Sequence, residues 1–86
     1  MGYGVLEKVG QHYRALGYGV LETPKSLTPP ERLLRLHAEI QKLLAHYQPD
    51  VVVTEQLLFS TNRRTAMQVA RAIGVVLLAV AQAGLA

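Results

Sequence analysis

The hydrophobic pattern opens with a hexapeptide that occurs twice near the start of the chain. The sequence GYGVLE fills Gly2 to Glu7 and recurs from Gly17 to Glu22. Both copies are rich in Tyr, Val and Leu, which favour strands, and a polar segment containing Gly10 separates them. We therefore predict an antiparallel hairpin in which residues 2–8 pair with residues 12–22. Because glycine has little bulk, the repeated glycines should let a neighbouring backbone approach closely.

Helical spacing begins after a proline-containing linker. Apolar side chains recur every three or four residues from Leu33 to Tyr47. Thr28, two prolines and Glu31 form a capping box with proline in the first turn, so we predict a helix over 29–46. The helix should end before Pro49, since proline disfavours helical geometry in the preceding residue.

Two more apolar segments complete the pattern. The β-branched run Val51–Thr54 is continuous rather than alternating, which is typical of a strand covered on both faces, so we predict a strand over 50–55. A second helix is predicted over 62–83, with Thr61 or Asn62 as its cap and Gly84 as its stop. The order strand, strand, helix, strand, helix predicts an α/β fold class within a single domain, 1–86.

Composition limits the class of protein. Half of the 86 residues are hydrophobic and 17% are charged, which is typical of a globular domain. The chain has no cysteine, which excludes disulfide scaffolds and thiolate metal sites, and no two of its three histidines have the spacing of a zinc helix motif. A net charge of +3 permits a polyanionic partner without requiring one.

Charged residues mark two candidate sites. Glu55 directly follows the predicted strand at its carboxyl end, where open α/β sheets bind ligands, and a carboxylate there could hold Mg²⁺. The alternative is a solvated glutamate. Arg63 and Arg64 lie in the first turn of the second predicted helix, where its partial positive charge makes cations unfavourable. They could form a phosphate site with the free amides, or be an exposed pair that aids solubility.

The second predicted helix is apolar around its whole circumference from Ala72 to Ala81. These ten residues are too few to cross a bilayer, which takes about 20, so the helix should be buried on more than one side. One side can pack on the sheet and the other on a second copy; the alternative is burial inside a larger monomer. The predicted homodimer interface comprises Val69, Ala72, Ile73, Val76, Leu77 and Val80.

These segments together resemble the RuvC family of bacterial Holliday junction resolvases, over essentially the whole chain. The most specific stretch runs from Pro49 to Gly74, with a strand, a glutamate, an S-x-N element and a helix in the family's order. The resemblance implies a ribonuclease-H-like fold and a cytoplasmic, homodimeric, Mg²⁺-dependent endonuclease. The resemblance also implies that the enzyme cuts four-way DNA junctions during recombination and repair. The RuvA–RuvB branch-migration motor is its implied partner.

The resemblance assigns roles to individual residues. Glu55 falls on the family's second catalytic carboxylate and is thus the implied catalytic residue and metal ligand. The family's DNA-inserting phenylalanine corresponds to Leu58, with Phe59 one residue later. The implied DNA contacts are Gln56, Leu58, Phe59, Asn62, Arg63 and Arg64.

The resemblance also shows what this sequence does not contain. The family's first strand, with its Asp-Pro-Gly motif, and its C-terminal acidic ligands have no counterpart here, which leaves Glu55 as one of four metal-binding acidic positions. Two-metal cleavage needs a ligand cluster that holds two ions ~3.5–4 Å apart. We therefore expect the chain alone to be inactive. A DNA-binding module without catalysis and a self-associating remnant are the alternatives to a resolvase.

Overall fold

The computed structural model describes the backbone of residues 1–54 and 63–85, and their side chains except those of 63–65. Within these ranges the elements are β1 (Gly2–Val9), β2 (His12–Val20), α1 (Pro29–Tyr47) and α2 (Arg63–Gln82). The predicted α/β class is confirmed, and the order of the described elements is strand, strand, helix, helix.

The repeated hexapeptide forms an antiparallel hairpin. Gly2 lies opposite Val20 and Val9 lies opposite His12, with Gly10 at φ 62° in the tight turn. Glycine occupies that left-handed conformation without the steric cost of a side chain. The strands therefore pair over nearly the predicted residues.

The pairing continues one residue past the strand ends. The Leu21 amide donates to the Met1 carbonyl at 2.7 Å, and the terminal amine of Met1 donates to the Leu21 carbonyl at 3.1 Å. The hairpin thus closes at residue 21, one residue short of the predicted limit.

Two glycines of β2 make room for tyrosine rings. A Cβ atom on Gly19 would lie 2.9 Å from the Tyr3 hydroxyl oxygen, and one on Gly17 would lie 3.1 Å from Tyr47 Cζ. Real Cβ atoms rarely approach other atoms so closely. The sequence predicted that these glycines admit a neighbouring backbone; at Gly17 and Gly19 they admit aromatic side chains instead, one of them from the end of α1.

The capping box is present at the start of α1. The Glu31 amide donates to Thr28 Oγ1 at 3.4 Å, and the Thr28 amide donates to Glu31 Oε1 at 3.1 Å. The Thr28 hydroxyl also donates to Glu31 Oε1 at 2.6 Å. The helix ends at Tyr47. The C-cap residue Gln48 has a left-handed φ of 48°, and its amide donates to the Leu44 carbonyl at 2.9 Å.

The strand predicted over 50–55 is not formed in residues 50–54, the part of it that the structure describes. A strand needs a hydrogen-bonded neighbour, and the described sheet consists of β1 and β2. Val52 packs partly against the core, whereas Val51 and Val53 are exposed. The β-branched pattern alone therefore did not determine pairing.

The core lies between the two helices. Leu36 and Ile40 of α1 are buried against Val76, Ala79 and Val80 of α2. These positions follow the three- and four-residue spacing of each helix, so each helix buries one stripe. In the part of the chain that the structure describes, neither helix has the length and hydropathy of a membrane span.

Gly84 ends α2 as predicted. Its φ is 73°, the Gly84 amide donates to the Ala81 carbonyl at 3.1 Å, and the Leu85 amide donates to the Val80 carbonyl at 3.1 Å. These bonds satisfy carbonyl groups that the last helical turn leaves free. Leu85 then packs against the core, which fixes the exit of the chain.

Candidate nucleic-acid interface

The predicted DNA-binding and metal-binding residues follow residue 54. Arg63 and Arg64 are the first two residues of α2, and their side chains are outside the described part of the chain. The other predicted site residues lie wholly outside the described residues: Glu55, Gln56, Leu58, Phe59 and Asn62. The described helices nearest to this segment in the sequence are α1, which precedes it, and α2, which follows it.

The segment is followed by the N-terminus of α2. The aligned peptide dipoles give a helix N-terminus partial positive charge, and the amides of its first turn have no intrahelical acceptor. The first turn of α2 contains no acidic residue and begins with Arg63 and Arg64. A helix N-terminus is a general position at which proteins bind phosphate and other anions.

The segment is preceded by the C-terminus of α1. The ring of Tyr47, the last residue of the helix, packs in the space over Gly17 of β2. Gln48 then turns the chain through a left-handed conformation into Pro49. The hairpin thus contacts the helix end immediately before the segment that leads to Glu55.

A polar contact joins the two helices beside their apolar stripe. His37 Nε2 and Gln82 Oε1 lie 2.7 Å apart, and the bond forms when Nε2 carries the proton. The histidine spacing did not match a zinc helix motif, and the sequence did not predict this contact for His37. This contact could have been inferred from the position of His37 next to Leu36, at the edge of the apolar stripe of α1.

One side of α2 is covered by α1 rather than by the predicted sheet. Val76 and Val80 are buried in the core, and Ala72 packs against it. These three residues were predicted to face a second copy. Because the covered stripe of α2 contains them, the structure assigns them to packing within one chain instead.

The opposite side of α2 is not covered by the described residues. Met67, Leu77 and Leu78 are exposed to 57%, 58% and 53%. We name as the free α2 face the exposed apolar or small residues on this side: Met67, Ala70, Gly74, Leu77, Leu78 and Ala81. Of the predicted interface residues, Leu77 lies on this face, and Val69 and Ile73 are half-buried.

The described residues do not form a metal centre. In residues 1–54 and 63–85, no three His, Asp or Glu side chains come together in a way that could hold a metal ion. Glu55, the predicted metal ligand, lies outside these residues.

Solved structures define the class of this fold. RuvC of Thermus thermophilus in complex with Holliday junction substrate superposes with a TM-score of 0.85 and 30% identity, over 98% of this chain and 52% of that chain. A second Thermus thermophilus RuvC structure gives a TM-score of 0.84 and 31% identity over the same shares. The chain therefore has the ribonuclease-H-like fold of the junction resolvases.

Sequence comparison identifies the family. The family model for crossover junction endodeoxyribonuclease RuvC matches residues 1–86, and the chain belongs to that family. RuvC of Thermomicrobium roseum is 51% identical over 78 residues, 91% of this chain and 47% of that protein. RuvC of Chloroflexus aggregans is 44% identical over 85 residues, 99% of this chain and 52% of that protein. The chain thus spans about half the length of the curated relatives that it matches.

Proposed function

We propose that this chain is the part of a Holliday junction resolvase that contacts the junction, and that alone it binds four-way DNA junctions without cutting them. The observation that carries the proposal is the superposition, over 98% of the chain, on a RuvC structure in complex with a Holliday junction substrate. The family name supplies the reaction class, endonucleolytic cleavage of crossover junctions.

Phosphate contacts at the start of α2 supply the affinity in this proposal. Arg63 and Arg64 lie at a helix N-terminus without an acidic neighbour in the first turn, where a cation is unfavourable unless an anion binds. The net charge of +3 favours the same partner. Gln56, Leu58, Phe59 and Asn62, which precede the arginines, complete the proposed contact segment.

A single proposed metal ligand is the reason why we expect no cutting. We assign Glu55 as one carboxylate ligand of Mg²⁺, by its position after residues 51–54 and by family membership. Two-metal cleavage needs a cluster of ligands, and the described residues contribute no such cluster. One carboxylate can bridge two ions, but it does not supply the remaining ligands that fix both ions for cleavage.

Self-association on the free α2 face is the second part of the proposal. Its exposed Met67, Leu77 and Leu78 flank the small residue Gly74, which allows a second helix to approach closely. Exposed apolar side chains grouped on one helix face are typical of an interaction surface. We therefore propose a homodimer that associates through the free α2 face. Val76 and Val80, which the sequence analysis placed in the interface, are not part of it because they are buried against α1.

The wider setting of the proposal follows from the family. We propose that the resolvase containing this sequence works in the cytoplasm with the RuvA–RuvB complex in recombination and repair. Its Mg²⁺ dependence belongs to the same set of proposals.

A competition experiment tests junction binding. A fluorescent four-way junction bound to the chain is displaced by unlabelled junction or by linear duplex of the same arm sequences, and anisotropy is recorded. We expect the junction to compete at a concentration at least ~10-fold lower than the duplex, as structure-selective binding requires.

Arg63→Ala/Arg64→Ala should weaken binding. The matched control Arg35→Ala/Lys42→Ala changes the net charge equally on the exposed side of α1 and should weaken it less. Equal competition by the duplex contradicts the proposal.

A further inference from the structure

The last turns of α1 and α2 line one cleft. It has a volume of about 500 Å³, and the turn that follows α1 forms part of its wall. Both polar and apolar side chains line it. The polar lining residues are Gln41, Gln48, Asp50 and Gln82, and the apolar ones include Leu44, Ala79 and Leu85.

The two helix ends make this cleft electronegative. Aligned peptide dipoles give a helix C-terminus partial negative charge, which favours a cation nearby. The last turn of α2 contains no basic residue. His46 is the basic residue in the last turn of α1, but it packs edge-on against Tyr47 and does not line the cleft. Among the described residues, no cation therefore lies in the cleft to offset the two dipoles.

The cleft also has hydrogen-bond acceptors that lack a partner in the described part of the chain. Asp50 is exposed and belongs to neither of the two ion pairs found there. The carbonyl of Ala45 has no helical donor, because the residue four positions later is Pro49, which has no N–H. A carboxylate and a free carbonyl in one cleft favour a ligand with several donors.

The remaining lining residues favour a ligand with an apolar stem. Leu44 and Leu85 are half-buried and pack partly against the core, so they form an apolar wall. Gln82 supplies a donor beside it, because its Oε1 accepts from His37 Nε2 at 2.7 Å and its amide hydrogens remain for another acceptor. An aliphatic stem with a cationic head, attached to a main-chain carbonyl, matches all three features.

We propose that this cleft binds an arginine residue of a partner protein. The guanidinium group carries five N–H donors in a planar fork, which meets the Asp50 carboxylate and the Ala45 carbonyl together, whereas the lysine ammonium acts as a point charge. The stem of the arginine lies along Leu44 and Leu85, and its main-chain carbonyl accepts from Gln82. A divalent metal ion fits poorly, because one carboxylate lines the cleft. Phosphate is repelled by the same carboxylate and by both helix ends.

This cleft lies at the other end of α2 from Arg63 and Arg64. The helix has 20 residues and therefore spans about 30 Å. A partner protein in the cleft and a phosphate at the start of α2 thus do not compete for the same surface. The inference does not rest on the proposed junction binding, and the two can be tested separately.

An NMR titration with short peptides tests the cleft. The isotope-labelled chain is titrated with a blocked tripeptide that has arginine between two alanines, and its backbone and glutamine amide resonances are followed. A citrulline peptide keeps the shape and removes the charge, and a lysine peptide keeps the charge and removes the fork. Asp50→Asn removes the carboxylate. The matched control Glu22→Gln makes the same charge change at an exposed residue that does not line the cleft.

We expect the arginine peptide to bind about 3- to 5-fold more tightly than the citrulline peptide, as is typical of an exposed ion pair. It should shift the resonances of lining residues within 41–50 and 79–85 and bind more tightly than the lysine peptide. Asp50→Asn should abolish the preference over citrulline, and Glu22→Gln should retain it.

Three results overturn the inference. The first is equal affinity for the arginine peptide and either of the other two. The second is a retained preference in an Asp50→Asn variant whose fold is verified by circular dichroism. The third is a shift of the same resonances with rising concentration of the chain alone, or on addition of duplex DNA, because each assigns the cleft to another occupant.

Discussion

At the scale of single residues, tyrosines and glycines of the repeat determine how the hairpin meets α1. Gly17 receives the ring of Tyr47, and Gly19 receives the ring of Tyr3. The repeat predicted close approach at these glycines but not the partner, because Tyr47 is thirty positions from Gly17 in the sequence. Contacts between distant residues depend on the fold as a whole and leave no local pattern.

Gly17→Ala should therefore destabilise the chain by about 1–3 kcal/mol, since the new methyl group overlaps the Tyr47 ring. The free energy of unfolding in urea measures the effect. Gly4→Ala is the control, because no atom lies within 4 Å of its Cβ position. The cost of Gly17→Ala should largely disappear in a Tyr47→Ala background. An equal cost in both backgrounds shows that the contact is not responsible.

The capping box gives the chain an acid-sensitive contribution to stability. The Thr28 hydroxyl, and then its backbone amide, hold the pKa of Glu31 below its ordinary value of 4.5. A lowered folded-state pKa stabilises the fold above the unfolded-state pKa, and this stabilisation is lost as the pH falls through the folded-state pKa. The ionised carboxylate is thus the form that the cap favours.

Thr28→Ala should lower stability at neutral pH, by the ~1 kcal/mol typical of a lost N-cap. It should also reduce the fall in stability between pH 5 and more acidic solutions, because the pKa of Glu31 returns towards 4.5. Urea unfolding at a series of pH values checks both. A Thr28→Ala variant that keeps the full acid dependence shows that Glu31 owes its low pKa to another group.

At the scale of elements, the start of α1 and the end of α2 were predictable because their signals are local, whereas the predicted cap of α2, Thr61 or Asn62, lies outside the described residues. Thr28 and Glu31 cap α1, and Gly84 stops α2, each within a few residues of the helix end. The strand over 50–55 was predicted from β-branched residues alone and is not formed in 50–54, since pairing needs a neighbouring strand. Which side of α2 meets α1 also could not be predicted, because both sides are apolar.

The proposed phosphate site at the start of α2 has a measurable salt dependence. Each lost phosphate contact should reduce the slope of log affinity against log salt concentration by about 0.9, because fewer counterions are released. Arg63→Ala/Arg64→Ala should therefore show a shallower slope for junction DNA than the unmodified chain. Arg35→Ala/Lys42→Ala is the control with the same change in net charge. An unchanged slope for the α2 variant rejects the assignment.

At the scale of the whole molecule, α2 carries exposed apolar side chains that the described residues do not cover. We propose that this free α2 face meets a second copy. The sequence predicted association through α2 from its apolar circumference. It could not identify the side of α2 that stays exposed, because that depends on where α1 packs.

Leu78→Glu should convert the proposed dimer to a folded monomer, because it places a charge on the free α2 face. Sedimentation equilibrium at micromolar concentration measures the mass. Leu34→Glu, on the exposed side of α1, is the matched control and should leave the dimer intact. Val76→Glu should instead unfold the chain, since Val76 is buried against α1. A folded monomer for the unmodified chain contradicts the interface.

Junction binding without cutting is the central claim, and one assay tests both halves. The purified chain is incubated with a labelled four-way junction in Mg²⁺ or Mn²⁺, and bound and nicked DNA are quantified from the same samples on native and denaturing gels. We expect a shifted junction and intact strands, because the proposal gives the chain one metal-binding carboxylate, Glu55, and two-metal cleavage needs a cluster of ligands. Symmetric nicks that disappear in Glu55→Gln would contradict the account, as would a junction that stays unbound at low salt.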